Sequence, residues 1–433
     1  MTRMRLVVGG TAAAIAAAVL LFGGVARRDR RDAVPAGAAA AAAETVRPAG
    51  GETAAVIEEL QWKLRESRRD VTSLRLLGIA YEQRARETAD PAWYPKAEGV
   101  LREALRLAPR DPTATIGLGA LALSQHRFRQ ALQIGRRARM LAPSSAQPYG
   151  IVGDALLELG RYREAFAAFD AMASIRPSSA SYARIAYARE LIGRLDDARA
   201  ALVLSLEAAG NDEAAAWASM QLGKLELARG RYALAAAHER AALRAIPDYP
   251  NALDALAQVE SARGNLRQAI ALERRAVARV PLPQFVAFLG DALAAAGRPG
   301  AARQQYALVG DIDRLLRANG VRTDLELALF QVDHGIRLRQ APARARAARA
   351  DRPSIDSDDV LAWALARNGR CGEALPWSRR ALRLGTRDAA KLFHRAWIER
   401  CVGRDPRPWA RRALALNPNF SPLWADDLRR LAR

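Results

Sequence analysis

Residues 221–281 contain two consecutive segments of the same design: QLGKLELARGRYALAAAHERAALRAIP, Gln221–Pro247, and NALDALAQVESARGNLRQAIALERRAVARVP, Asn251–Pro281. When they are aligned, their internal glycines, Gly230 and Gly264, and their closing prolines superpose at an offset of 34 residues. A fixed period of this size indicates one supersecondary unit used repeatedly. The glycine breaks a first helix, small residues let a second helix pack closely, and the proline ends it. Each unit is therefore predicted to be a helix-turn-helix.

The spacing inside the unit resembles the tetratricopeptide repeat. The Leu-Gly pair, the turn glycine, the two packing alanines and the terminal proline of that family correspond to Leu222, Gly223, Gly230, Ala235, Ala242 and Pro247. The resemblance implies a right-handed superhelix of stacked repeats, in which the first helices line a concave groove and the second helices form the convex side.

The same phase extends through most of the chain. The gaps between successive turn glycines are 33, 37, 34, 33, 38, 34 and 34 residues, for Gly160, Gly193, Gly230, Gly264, Gly297, Gly335, Gly369 and Gly403. Only Val309–Val321 cannot be phased. The sequence therefore predicts an all-α fold, a right-handed superhelical solenoid of about ten helix-turn-helix repeats behind an N-terminal hydrophobic segment.

The chain is divided into three parts by composition. Residues 1–26 combine a short basic start with an uncharged run, and this pattern predicts a signal peptide or a transmembrane anchor. Residues 27–51 are rich in Ala, Pro and Gly and are predicted to be a linker, and residues 52–433 form the solenoid. Arginines flank the hydrophobic run on both sides, so export of the repeats is favoured while a membrane anchor facing the cytoplasm stays an alternative.

The last third carries a second resemblance. Its segments are similar to a block found in a group of exported bacterial tetratricopeptide proteins: Asp324–Phe330, Asp333–Gly335, Arg352–Ile355, Leu382–Ala389 and Phe393–His394. This similarity supports an extracytoplasmic location, secreted or anchored, and implies no activity.

The charge of the chain is strongly positive. The formal net charge is +21 and the pI is about 11, which is typical of partners such as nucleic acid, an anionic membrane surface or an acidic polymer. Arginine accounts for nearly all of the 67 basic residues. The excess can equally reflect genomic base composition, so the net charge alone does not decide between these readings.

The placement of the arginines is more informative. Pairs recur just before the second packing alanine, midway along the second helix, and are predicted to form a convex basic ridge: Arg136, Arg137, Arg274, Arg275, Arg379, Arg380, Arg411 and Arg412. A solvated arginine face and a working anionic contact are both compatible with this position.

First-helix positions expected to be exposed in the groove are mostly neutral. The candidates for binding are Gln147, Asp154, Gln221, Lys224, Asp254 and Gln258. Because repeat solenoids offer long concave surfaces, the sequence predicts a non-catalytic scaffold that binds a peptide or protein segment in this groove at the cell envelope. The alternative is a binder of polyanions or anionic membranes that uses the basic ridge.

No motif in the sequence indicates an enzyme. The four histidines fall in four different repeats without a metal-ligand spacing, and no phosphate loop, dinucleotide fingerprint or nucleophile elbow occurs. No catalytic residue, metal, cofactor or small-molecule substrate is therefore expected. One alternative is a metal or acid-base site of Asp333, His334 and His394, against which His334 and Gly335 also fit an ordinary helix end.

Cys371 and Cys401 lie beside the turns of successive repeats. A disulfide and two reduced thiols are both compatible with this spacing. The identity of the protein partner and the oligomeric state are not predictable from the sequence.

Overall fold

The computed structural model describes residues 52–433, and all regular secondary structure in this part of the chain is helical. It contains 22 α-helices and one 3-10 turn at Leu338–Gln340, with no strand among the described residues. The predicted signal or anchor at 1–26 and the predicted linker at 27–51 lie outside the described residues. In the part that is described, no helix is both long and apolar enough to cross a bilayer.

The helices pack as ten consecutive pairs between a leading helix α1 (Glu52–Glu66) and a closing helix α22 (Ala425–Leu431). The pairs are, in chain order, α2 (Val71–Thr88) with α3 (Trp93–Leu107), α4 (Pro112–Ser124) with α5 (Phe128–Leu141), α6 (Gln147–Glu158) with α7 (Tyr162–Ile175), α8 (Ser179–Leu191) with α9 (Leu195–Glu207), α10 (Asp212–Ala228) with α11 (Tyr232–Ala245), α12 (Pro250–Ala262) with α13 (Leu266–Arg279), α14 (Pro283–Ala295) with α15 (Pro299–Ala318), α16 (Asp324–Asp333) with α17 (Ala341–Asp351), α18 (Ile355–Arg367) with α19 (Cys371–Ala381), and α20 (Ala389–Cys401) with α21 (Arg407–Leu416). We number these pairs repeats one to ten.

Local sequence explains where the helices start and stop. First helices other than α16 open on a side-chain cap or on a proline in their first turn, as with Asp111 and Pro112 at the start of α4. All eight predicted turn glycines have positive φ, between 64° and 85°. In repeat two the same position is held by His126, with φ 56°. The stretch that could not be phased falls at the end of α15, which is extended to 20 residues.

Alanines hold the two helices of a repeat together. The predicted packing alanines Ala235 and Ala242 are fully buried, as are their equivalents Ala269 and Ala276 in the next repeat. Without a longer side chain at these points the helices can approach closely, and leucines, valines and aromatic residues fill the remaining space. The predicted helix-turn-helix array of about ten units is confirmed at the level of the helix pairs.

The array also coils back on itself. The turns inside repeats two to six contact loops that lie much later in the chain. The Ile355 backbone N–H donates to the Tyr162 hydroxyl (2.7 Å), and the Asn417 amide donates to the Leu227 carbonyl (2.8 Å). The partners are 193 and 190 residues apart, which at 34 residues per repeat is between five and six repeats. Successive coils of the superhelix are thus in direct contact.

Candidate functional site

The six predicted groove residues all lie on first helices, but not all of them are exposed. Gln147, Gln221, Lys224 and Gln258 are half-buried, whereas Asp154 and Asp254 are only 5% and 3% exposed. The prediction that these two aspartates are exposed is wrong. Each of them is buried and bonded to a neighbouring polar side chain.

Asp154 on α6 is held by Arg184 on α8, the next first helix. The guanidinium donates from Nε to Oδ1 (3.0 Å) and from Nη2 to Oδ2 (2.8 Å), and Arg184 is only 2% exposed. Burial raises the pKa of Asp154, and Arg184 opposes that rise. This buried pair links repeats three and four, and it leaves the Asp154 carboxylate bonded within the protein.

Repeats five to seven contain a row of buried acids that the sequence analysis did not select. We call Glu239, Asp254, Glu273 and Asp291 the acidic floor, since they lie beneath the half-buried first-helix residues of these repeats. Their exposed fractions are 0, 3, 0 and 1%. Asp254 belongs to both sets, and it accepts hydrogen bonds from the Gln258 amide at 3.0 and 2.9 Å.

Glu239 and Glu273 occupy a position that is apolar or aromatic in several other repeats. Four residues after the first packing alanine, repeats one, three and seven carry Leu101, Phe169 and Tyr306. In those repeats the side chain at this position packs over a glycine of the first helix. Glu239 packs over Gly223 in the same way, since a Cβ added to Gly223 would overlap the Glu239 carboxyl group. A carboxylate at this core position was the signal in the sequence that could have revealed the site.

These carboxyl groups are poorly satisfied. Neither oxygen of Glu239 or of Glu273 has a hydrogen-bond partner among the described residues, and Asp291 Oδ2 also lacks one. Burial raises the pKa of Glu239 and of Glu273 well above the ordinary value, and the nearby charge of Asp254 raises both further. Lys224 is close enough to counteract the rise for Glu239. A buried carboxyl group without a partner costs free energy, so the acidic floor is not explained by packing.

Asp291 ends the acidic floor and contacts His334. His334 Nε2 lies 2.8 Å from Asp291 Oδ1, and the Tyr306 hydroxyl donates a hydrogen bond to the same oxygen (3.0 Å). His334 Nδ1 lies 2.7 Å from the Phe330 carbonyl oxygen, so this nitrogen must donate. Burial lowers the pKa of His334, but Asp291, Asp333 and the Phe330 carbonyl together outweigh burial and the pKa is raised.

The alternative site of Asp333, His334 and His394 is divided among separate partners. The Trp363 indole donates to Asp333 (2.8 Å), and His394 Nδ1 lies 2.9 Å from Asp359. Burial raises the pKa of Asp333 to about 6, although His394 and His334 oppose this. His334 also ends α16 before Gly335, as the helix-end interpretation predicted. Within residues 52–433, no group of three or more His, Cys, Asp or Glu side chains is arranged to hold a metal ion.

A second polar cluster joins the coils of the superhelix. Arg352 is bonded to Glu158 of repeat three and to Glu326 (2.7 Å). Nearby, Lys391 lies 2.9 Å from both Asp356 and Asp388. Burial raises the pKa of Glu158 to about 7, and Arg352 opposes the rise. Because its members are bonded mainly to each other, this cluster fixes the relative position of the coils.

The predicted basic ridge is exposed on the second helices, and its pairs share a pattern. In two of the four pairs the second arginine contacts the preceding repeat: Arg137 donates to the Pro109 carbonyl (2.6 Å), and Arg275 is paired with Asp248. The first members have no hydrogen bond or ion pair with the described residues: Arg136, Arg274, Arg379 and Arg411. Of the remaining second members, Arg380 lies 3.6 Å from Asp358 and Arg412 stacks on Trp409.

Cys371 and Cys401 are joined in a disulfide, which resolves the alternative left open by their spacing. Their Cα atoms are 5.9 Å apart, within the usual range for the bond. The bridge links the start of α19 to the end of α20 and so joins repeats nine and ten covalently.

Comparisons with known proteins give partial similarities. No family model matches the chain. Cellulose synthase operon protein C of Xanthomonas axonopodis pv. citri is 30% identical over 270 residues, and the match covers 61% of this chain but only 15% of that protein. The chain therefore spans a small part of the curated relative's length.

Two solved structures are similar at lower identity. TTC0263, a TPR protein of Thermus thermophilus, is 22% identical with a TM-score of 0.36, covering 39% of this chain and 91% of that one. Human IFIT1 is 17% identical with a TM-score of 0.47, covering 73% and 72%. At these scores the assignment rests on the geometry of the chain itself. Its 34-residue period, paired helices, turn glycines and packing alanines show that residues 52–433 are an array of tetratricopeptide repeats.

Proposed function

We propose that this chain is a non-catalytic scaffold whose right-handed superhelix binds a peptide or protein segment along its first helices. The observation that carries the proposal is the surface of repeats five to seven, where Gln221, Lys224 and Gln258 remain half-buried above carboxyl groups that have no partner within the described residues. Polar groups in this state can gain hydrogen bonds from an incoming segment. Gln147 extends the same surface toward repeat three, while Asp154 and Asp254 act by positioning their neighbours.

We place this scaffold at the cell envelope, outside the cytoplasm, with the N-terminal hydrophobic segment as a signal or an anchor. The disulfide supports this location, because such bonds persist in oxidising compartments. The relative named for a cellulose synthase operon supports a role within a multi-protein assembly, although the match covers little of that protein. An anchored array that faces the cytoplasm is the alternative location.

Photo-crosslinking in the producing cell tests the groove. A crosslinking amino acid replaces Gln221 or Gln258 in one set of variants, and Arg136 or Arg274 on the convex side in the matched control set. We expect one discrete protein adduct from both groove positions and none from the ridge. Adducts from the ridge alone would refute groove binding. A reporter fused after Arg433 that is active on one side of the membrane tests the location, and activity inside the cell would refute export.

The second candidate function is binding of a polyanion or an anionic membrane surface by the basic ridge. The observation in its favour is that the first arginine of each pair is exposed without an ion-pair partner in the described part of the chain. Contacts with phosphates make affinity fall steeply with salt. Replacing Arg136, Arg137, Arg274 and Arg275 by Gln should abolish heparin or anionic-vesicle binding if this function is correct, and should leave the groove crosslinks intact.

A further inference from the structure

We infer that the acidic floor selects a partner segment that carries two basic side chains three residues apart. The inference rests on the proposed groove function and names the chemistry of its ligand. It concerns repeats five to seven, whose first helices α10, α12 and α14 pack side by side.

The charge balance of this stretch favours a cationic ligand. Four carboxyl groups, Glu239, Asp254, Glu273 and Asp291, are buried along it, and Lys224 is the cation nearest to Glu239 and Asp254. At the far end, His334 and Tyr306 satisfy one oxygen of Asp291. Glu239 and Glu273 remain without a hydrogen-bond partner among the residues described.

The unpartnered carboxyl groups are the independent observation that points to a ligand. At the equivalent position, Leu101 and Phe169 fill the space between the two helices without any polar cost. A glutamate here leaves two buried oxygens without a hydrogen bond, which is unfavourable. Both glutamates lie next to groove positions: Glu239 covers Gly223 beside Lys224, and Glu273 is close to Asp254. A guanidinium or ammonium group reaching down between the first helices would satisfy them.

The geometry of the repeats sets the spacing of the two cations. Neighbouring packed helices have axes about 8–10 Å apart. A segment in the polyproline II conformation advances about 3.1 Å per residue with three residues per turn, so side chains three residues apart lie on one face and are separated by a similar distance. Arginine suits the site best, because its planar fork can bond both oxygens of a carboxylate.

A labelled peptide tests the inference on the full chain. The probe is fluorescein-Gly-Ser-Arg-Gly-Ser-Arg-Gly-Ser, and its anisotropy is measured at physiological salt. Controls are the same peptide with both arginines replaced by Gln, and an isomer with adjacent arginines. We expect the first peptide to bind about tenfold more tightly than either control, because only its two arginines can form charge-assisted hydrogen bonds with both glutamates.

Variants locate the effect on the floor. Glu239→Gln with Glu273→Gln keeps the shape of both side chains but cannot form the carboxylate that a bound cation would stabilise, and it should weaken binding of the first peptide about tenfold. The matched control is Glu164→Gln with Asp197→Asn, two acids on second helices outside the floor, which should leave binding unchanged. A third variant, Glu239→Leu with Glu273→Leu, restores the residue type of Leu101 and should abolish the spacing preference in a chain that is at least as stable.

Three results would overturn the inference: equal binding of the spaced and adjacent peptides, undiminished binding by the Gln pair, or no binding of any arginine peptide. If the groove positions Gln221 and Gln258 still form a discrete protein adduct in the cell, the scaffold function stands and only the basic-segment selectivity falls. If those positions form no adduct, the groove function itself fails, so the two failures are distinguishable.

Discussion

Replacing Glu273 by leucine should stabilise this protein. The side chain is fully buried on α13, both carboxyl oxygens lack a hydrogen-bond partner among the described residues, and its charged neighbours Asp254 and Asp291 are also acidic. An unsatisfied buried polar group costs about 1–3 kcal/mol, and leucine removes it while keeping most of the packed volume. We therefore expect Glu273→Leu to gain about 1–3 kcal/mol, less any strain from the changed shape.

The gain should depend on pH in a defined direction. Burial raises the pKa of Glu273, so the folded state binds the proton more tightly than the unfolded state does. The free energy of unfolding therefore falls as pH rises above the unfolded pKa, which is about 4.3. Leucine does not titrate, and its advantage over glutamate should be smallest near pH 4 and larger at pH 8.

Native-state hydrogen exchange of α12 and α13 is the appropriate assay, because repeats can open locally without unfolding the whole array. Glu260→Leu is the matched control. This neighbouring glutamate is equally buried but accepts hydrogen bonds from Asn265 (2.6 Å) and Arg263 (3.2 Å), so its loss should destabilise the same helices. The reasoning is refuted if Glu273→Leu is less stable than the parent at pH 8, or if both leucine variants behave alike.

Three further outcomes are expected. Arg352→Met should lower the free energy of unfolding by about 3–5 kcal/mol, because it leaves the Glu158 side chain buried without its partner. Small-angle scattering should show an expanded array for this variant. The control Arg129→Met, which removes an exposed contact to the Ala350 carbonyl, should change little. Removing the disulfide by Cys371→Ser with Cys401→Ser should cost about 3–4 kcal/mol for a sequence separation of 30 residues, and exchange should rise in α19 and α20 more than in α4 and α5. The urea concentration at the unfolding midpoint should decrease as the pH is raised from 5 to 8 at constant ionic strength. Burial raises the pKa of Glu158 and Glu190 to about 7 and that of Asp333 to about 6, so the folded state favours their protonated forms. An unchanged or rising midpoint would contradict this.

The repeats could be predicted because their determinants are local. A turn glycine, a packing alanine and a closing proline each act within a few residues, so their period in the sequence is also the period of the structure. The same reasoning placed the basic ridge on exposed second helices and identified His334 and Gly335 as a helix end.

The contacts between coils could not be predicted in this way. They depend on a small rotation between neighbouring repeats that accumulates over 157 residues or more, and no short motif encodes that sum. The burial of Asp154 was missed for a related reason, since its partner Arg184 lies 30 residues away in the next repeat. The acidic floor was in principle visible, because Glu239 and Glu273 replace apolar residues at one repeat position.

Contacts between coils also change how this array must fold. In an ordinary solenoid each repeat meets only its neighbours, and folding can spread from any point along the chain. Here Tyr162 cannot meet the Ile355 backbone, nor Leu227 the Asn417 amide, until the last third of the chain has been synthesised. Such distant pairs raise the contact order and slow the final stage of folding. The turns of repeats two to six therefore gain these contacts only after the C-terminal repeats have formed. A chain truncated before residue 320 would leave the turns exposed to association with other molecules.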